Sequence, residues 1–80
     1  MFRVHVKTES LAVEERIYTV RYFLLRTARG GRRYSAEILL GPADRIILDD
    51  DSVSNLEAKA QRLVPATLYS RALAGKATAA

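Results

Sequence analysis

The sequence predicts an α+β fold: an antiparallel β-sheet of about four strands in a meander, followed by a C-terminal helix broken near Pro65. Three observations predict it. Apolar and polar residues alternate with period two through the first half of the chain. Glycine-rich punctuation separates the alternating runs, and from Ser54 onward the apolar spacing becomes helical.

Phe2, Val4 and Val6 alternate with Arg3, His5 and Lys7, the pattern of a strand with one buried and one wet face. Thr8 to Glu15 sets acids around Leu11 and Val13 and reads as a connection or short irregular turn. Arg16 to Thr27 is rich in Ile, Tyr, Thr, Val and Phe, which fit a pleated surface and lose rotamer freedom in a helix, so a long second strand is preferred over a helix from Leu11 to Ala28. Gly30-Gly31 stands where a hairpin turn belongs.

Tyr34, Ala36, Ile38 and Leu40 then alternate with polar residues in a third strand closed by Gly41-Pro42, and Arg45 to Leu48 makes a short fourth. Ser54 and Glu57 have the spacing of a capping box, and Leu56, Ala60, Leu63 and Val64 follow as a helical stripe. Pro65 lacks a backbone donor and should kink or stop the helix, with a turn or two more from Ala66 to Leu73. Residues 1–74 make one domain and 75–80 a disordered tail.

Eighty residues suffice for one core and not for two, and 49% hydrophobic with 28% charged residues is globular composition. Without cysteine there is no disulfide staple and no thiolate metal site, so packing, aided by self-association, must supply stability. No run approaches the ~20 apolar residues of a membrane span, and the first residues lack the apolar core of a signal peptide, so a cytoplasmic protein without membrane contact is expected. The formal charge of +4 favours polyanionic partners.

A two-residue turn at Gly30-Gly31 would place Ala28 opposite Arg33, Leu25 opposite Ala36 and Phe23 opposite Ile38. The core face is then Phe23, Leu25, Tyr34, Ala36, Ile38 and Leu40, extended by Phe2, Val4 and Val6 and covered by the helix. The opposite face gathers Tyr18, Val20, Tyr22, Leu24 and Leu39 with Arg26, Arg33, Arg3, His5 and Lys7. Such an aromatic strip rimmed by cations should meet a partner. One reading makes Tyr18, Val20, Tyr22, Leu24 and Leu39 a homo-oligomer interface. The other makes Tyr18 and Tyr22 stacking platforms for single-stranded nucleic acid, with Arg3, Lys7, Arg26 and Arg33 along its backbone. Arg29 and Arg32 complete an acid-free hairpin tip, either a phosphate-contacting finger or a solvated turn whose charge deters edge pairing.

Signs of catalysis are few. His5 is the single histidine, set among basic neighbours. Asp49-Asp50-Asp51 lacks the spaced ligands of a calcium loop and suits a helix N-terminus instead. The glycines match no nucleotide-binding loop, and no serine has a triad partner. A non-enzymatic protein without cofactor or metal is expected.

The basic hairpin Arg26 to Arg33, and the step from Arg45-Ile46-Ile47-Leu48 through Asp49 into a helix at Ser54, give an order of elements that resembles a known unit. It is shared by Whirly and PUR-repeat single-stranded nucleic-acid-binding proteins and by the small positive-cofactor coactivators. The likeness is one of topology over most of the chain. It implies binding of single strands on a curved sheet by dimers or larger assemblies. The expected partners are therefore a second copy of the chain and single-stranded nucleic acid. The alternative is an interaction subunit that meets an acidic protein.

Overall fold

The computed structural model describes residues 2–78, with side chains from Arg3 to Gly75. Four strands, β1 (Phe2–Val13), β2 (Arg16–Arg26), β3 (Arg32–Gly41) and β4 (Asp44–Asp50), pair antiparallel in the order β1-β2-β3-β4. A single helix, α1 (Val53–Thr78), lies across one face. The predicted α+β class and element order are those observed.

Thr8 to Val13 is not a connection: β1 continues to Val13, and a two-residue turn at Glu14-Glu15 brings Val13 opposite Arg16. Glu14 adopts a left-handed conformation there, with φ 57°. Acids at Glu9 and Glu14 obscured the strand, although Lys7, Glu9, Leu11 and Val13 turn to the helix side with Tyr22, Val20, Tyr18 and Arg16 opposite them. A register shift between His5 and Lys7 changes the phase of the strand, so the regular alternation from Phe2 does not carry through. Val4 and Val6 are exposed rather than core, and the side chain of Phe2 lies outside the described ones.

The decisive difference lies in the β2–β3 connection. Five residues, Thr27–Gly31, form the loop, which closes at Arg26 opposite Arg32. The Thr27 N–H donates to the Gly31 carbonyl at 3.0 Å, the Gly30 N–H to the Thr27 carbonyl at 3.0 Å, and the Gly31 N–H to Thr27 Oγ1 at 3.0 Å. Gly30 sits at φ 79°, and a Cβ on Gly31 would come within 3.0 Å of Thr27 Oγ1, so each glycine has its own reason. Leu25 therefore faces Arg33 instead of Ala36. Because the displacement is odd, every side chain of β2 changes sides relative to the prediction.

Tyr18, Val20 and Tyr22 thus join Ala36 and Ile38 beneath Leu56, Ala60 and Val64 of α1. Of the predicted helix stripe Leu56, Ala60 and Val64 are core while Leu63 is half-buried outside it, and the inward positions on β3 hold, with Tyr34 and Leu40 packed at the margin. Phe23 and Leu25 belong to the other face. Fully burying each of Val20, Tyr22, Ile38, Leu56 and Val64 contributes about 1.5–3 kcal/mol, which makes this layer the main source of stability.

The helix is capped two residues before the predicted cap. Ser52 Oγ accepts the Asn55 N–H at 3.1 Å, and Glu57 reaches Lys7 rather than closing a capping box. α1 also passes through Pro65 without ending. Pro65 and Gln61, the pair whose hydrogen bond is lost, are both exposed, so water can replace it. The helix runs on through Gly75 to Thr78, and residues 79 and 80 of the expected tail lie outside the described residues.

Two expected outcomes test this architecture. Val6 is the extra residue of the bulge, since His5 and Lys7 face the consecutive residues Phe23 and Tyr22. Deleting Val6 should leave every other side chain on its face and shift the thermal midpoint by less than about 8 °C, or ~1 kcal/mol. Deleting Thr19 from unbulged β2 should abolish cooperative melting, and calorimetry of the two variants would refute this register if they behaved alike. The second concerns Asp50, which pairs with Lys59 Nζ at 2.6 Å and accepts from Asn55 Nδ2 at 2.9 Å and the Asp51 N–H at 2.6 Å. Lys59 foremost, then Asn55 and the backbone, holds this carboxyl well below the usual carboxylate range. The folded state thus binds fewer protons than the unfolded in acid, so this stabilisation is complete above about pH 4 and lost as pH falls further. Asp50→Asn should melt earlier at neutral pH and show a flatter midpoint-against-pH curve below about pH 4.

Candidate functional site

The helix covers one side of the sheet and leaves the other bare. Register places on that bare face Arg3 and His5 of β1, Thr19, Arg21, Phe23 and Leu25 of β2, Arg33, Ser35, Glu37 and Leu39 of β3, and Arg45, Ile47 and Asp49 of β4. Phe23 is nevertheless only 8% exposed. The Arg3 guanidinium lies 3.6 Å from its ring centroid, and the His5 ring meets it edge-on at 5.6 Å. His5 Nε2 shares a 2.7 Å hydrogen bond with Thr8 Oγ1.

Glu37 ties this face together. Its carboxylate takes Arg3 Nη2 at 3.2 Å and Arg45 Nη1 at 3.5 Å, so one acid of β3 holds arginines from β1 and β4. Arg21 stands directly opposite Glu37 on β2 and has no acidic partner. The carboxylate is almost covered while the guanidiniums remain half exposed, so the outer layer of the face is cationic.

The predicted site residues divide into three sets. Tyr18, Val20 and Tyr22 are 9%, 1% and 2% exposed under α1, so neither the tyrosine stacking platform nor the proposed oligomer seam exists. Burial, with the charges of Glu9 and Glu57 adding to it, pushes the Tyr22 phenol up to about 12. Leu24 belongs to the same helix-side set and Leu39 to the bare face, both half-buried, so these two do not share a surface. Lys7 also lies on the helix side, bound to Glu9 at 2.6 Å and Glu57 at 3.4 Å with its Nζ 5.1 Å from the Tyr22 ring centroid. The Glu9 hydrogen bond, followed by Glu57, raises its pKa.

Arg3 and Arg33 are on the bare face but engaged. Arg33 binds Asp49 at 3.1 Å and also Asp51, and these acids raise its pKa, the Asp49 hydrogen bond most. Arg26, Arg29 and Arg32 are exposed at the tip and have no acidic partner. Arg26 and Arg32 even face one another across the ladder, a like-charge pair that costs stability unless an anion sits nearby.

Phe23, Arg21, Arg45 and Glu37 were missing from the predicted site. For Phe23 and Arg21 the signal was the alternation of β2, which assigns them correctly once Arg26 is paired with Arg32, and for Glu37 and Arg45 it was the alternation of β3 and β4. The Asp49–Asp51 run is consumed by Arg33, Asn55 and Lys59. Among the described residues, no three His, Asp or Glu side chains are grouped to hold a metal ion, and no helix is long and apolar enough to cross a membrane. No protein-family model, curated protein or solved structure matches the chain.

Glu37→Gln keeps the shape of the bare face and removes its organising charge. A loss of about 1 kcal/mol in urea unfolding is expected, because the arginine ends are half exposed and the acid end is not. A variant as stable as the parent would show that the Arg3 and Arg45 contacts carry no net stabilisation.

Proposed function

We propose that this protein is a non-enzymatic module that binds single-stranded nucleic acid on the helix-free face of its sheet and on the Thr27–Gly31 tip. The observation that carries the reading is the placement of free charge. Of the six described arginines that no acid holds, namely Arg16, Arg21, Arg26, Arg29, Arg32 and Arg62, three crowd one five-residue loop and its flanks. Guanidinium groups pair bidentately with phosphate, and two glycines without side chains let a backbone approach closely.

The adjoining face supplies the second requirement. Arg3 lies on Phe23 and presents its outer side to solvent, where an unpaired base can stack on the guanidinium plane. Arg21 and Arg45 flank that position across the strands. A single strand offers bare base faces for such stacking, whereas a duplex hides them. The resemblance in element order to sheet-based single-strand binders points to the same face, with Phe23 and Arg3 in place of the buried tyrosines.

Fluorescence anisotropy with labelled mixed-sequence DNA and RNA strands longer than about 16 nucleotides tests the proposal. Binding should be present at about 50 mM salt and much weaker at about 200 mM. Replacing Arg26, Arg29 and Arg32 by Gln should reduce the slope of log affinity against log salt by about 2, at ~0.7 per phosphate. Glu37→Gln should tighten binding. No binding at the lower salt, or tighter binding to duplex than to single strands, would end this reading.

A further inference from the structure

β2 runs about 35 Å between two ends of opposite character. The arginine tip closes one end. At the other, the β1–β2 turn and the C-terminal half of α1 enclose an open groove whose lining includes Glu14, Glu15, Arg16, Tyr18, Leu68 and Tyr69. The last turns of the helix bury little: Arg71 pairs with Asp44 of β4, but Tyr69 is 68% and Leu73 49% exposed, and every described side chain from Tyr69 to Gly75 is exposed. A helical end packed this thinly is marginal in water, so its apolar strip calls for a partner.

The charges around the groove identify that partner. Glu14 and Glu15 are the two described acids with no cationic group bound to them. With Arg16 beside them the turn is net acidic, in contrast to the acid-free tip at the other end. α1 has no acid after Glu57, while Arg62, exposed and unpaired, lies seven residues before Tyr69 on the same helical strip. Each chain therefore carries an acid-flanked apolar groove and, beside it, an apolar helix strip with a free arginine. Two such surfaces are complementary when related by a two-fold axis.

We propose that this end is a homodimer interface, in which the C-terminal halves of two α1 helices cross antiparallel near Ala66. Tyr69 of each copy enters the groove of the other, and Arg62 of each meets Glu14 and Glu15 opposite. Small side chains at Ala66 and Ala72 permit close approach of the helices. The arginine tips then lie at the far ends of the dimer, untouched by the interface, so self-association and nucleic-acid binding are separable.

Sedimentation equilibrium of the full chain from micromolar to submillimolar concentration tests the interface. The parent should approach twice the mass of the chain. Tyr69→Asp, or Leu73→Asp as a second variant, should sediment as one chain with an unchanged circular-dichroism spectrum. Glu14→Arg with Glu15→Arg should weaken association about tenfold, and adding Arg62→Glu should restore it. A parent that stays at the mass of one chain, leaving the groove to some other occupant, overturns the proposal. So does a dimer that survives both apolar substitutions, or charge reversal that leaves association unchanged. Anisotropy of Tyr69→Asp with single-stranded DNA reads the nucleic-acid function independently of this result.

Discussion

The pairing of Arg26 with Arg32 across the Thr27–Gly31 loop is the constraint on which the rest of the structure depends. Strand residues have only two sides, so the closing pair of this hairpin decides by parity which half of β2 meets the helix. Closed as it is by the Thr27 hydroxyl and by Gly30 in the left-handed region, the loop sends Tyr18, Val20 and Tyr22 beneath α1. The same parity sends Phe23 outward to Arg3 and Arg21 outward opposite Glu37, the acid that holds Arg3 and Arg45. Core and bare face are two results of one local geometry.

Charge follows the same division. On the helix side, Lys7 is neutralised by Glu9 and Glu57, and Lys59 by Asp50. On the bare side a single covered acid serves Arg3 and Arg45, and at the tip no acid serves Arg26, Arg29 or Arg32. A net charge of +4 spread evenly would say little about partners. Three free arginines at the acid-free tip, against the free acids Glu14 and Glu15 beside Arg16 at the other end, give the molecule a direction.

How much of this was legible in the sequence depended on how local each cause is. The alternation from Tyr34 to Leu40, the short strand from Arg45 and the stripe Leu56, Ala60, Val64 are written in consecutive side chains, and each was read correctly. The arginine tip was legible for the same reason. The register of β2 on β3 was not, because Gly30-Gly31 suits a two-residue turn as well as the end of a five-residue loop, and a hydroxyl four residues before Gly31 settles the matter. The bulge at Val6 and the continuation of β1 through Glu9 were hidden alike, since a polar residue on a strand is silent until its partner strand is known. At the helix, the Ser54–Glu57 spacing suits a capping box although Ser52 makes the cap, and Pro65 is tolerated because its missing bond falls on a wet side. The candidate site inherited the error in parity, so its cations were named while its aromatic centre was misplaced.

The meander also bears on how the chain reaches this state. Each strand pairs with its sequence neighbour through a connection of two or five residues, so every ladder can close before distant segments meet. The β2–β3 hairpin must therefore settle between alternative registers while the surface that α1 will cover is still open. A hairpin slipped by one residue would offer Phe23 and Arg21 to the helix in place of Tyr22 and Val20. Docking of Leu56, Ala60 and Val64 then acts as a late proofreading step, rewarding only the chain whose first decision was made with the right parity.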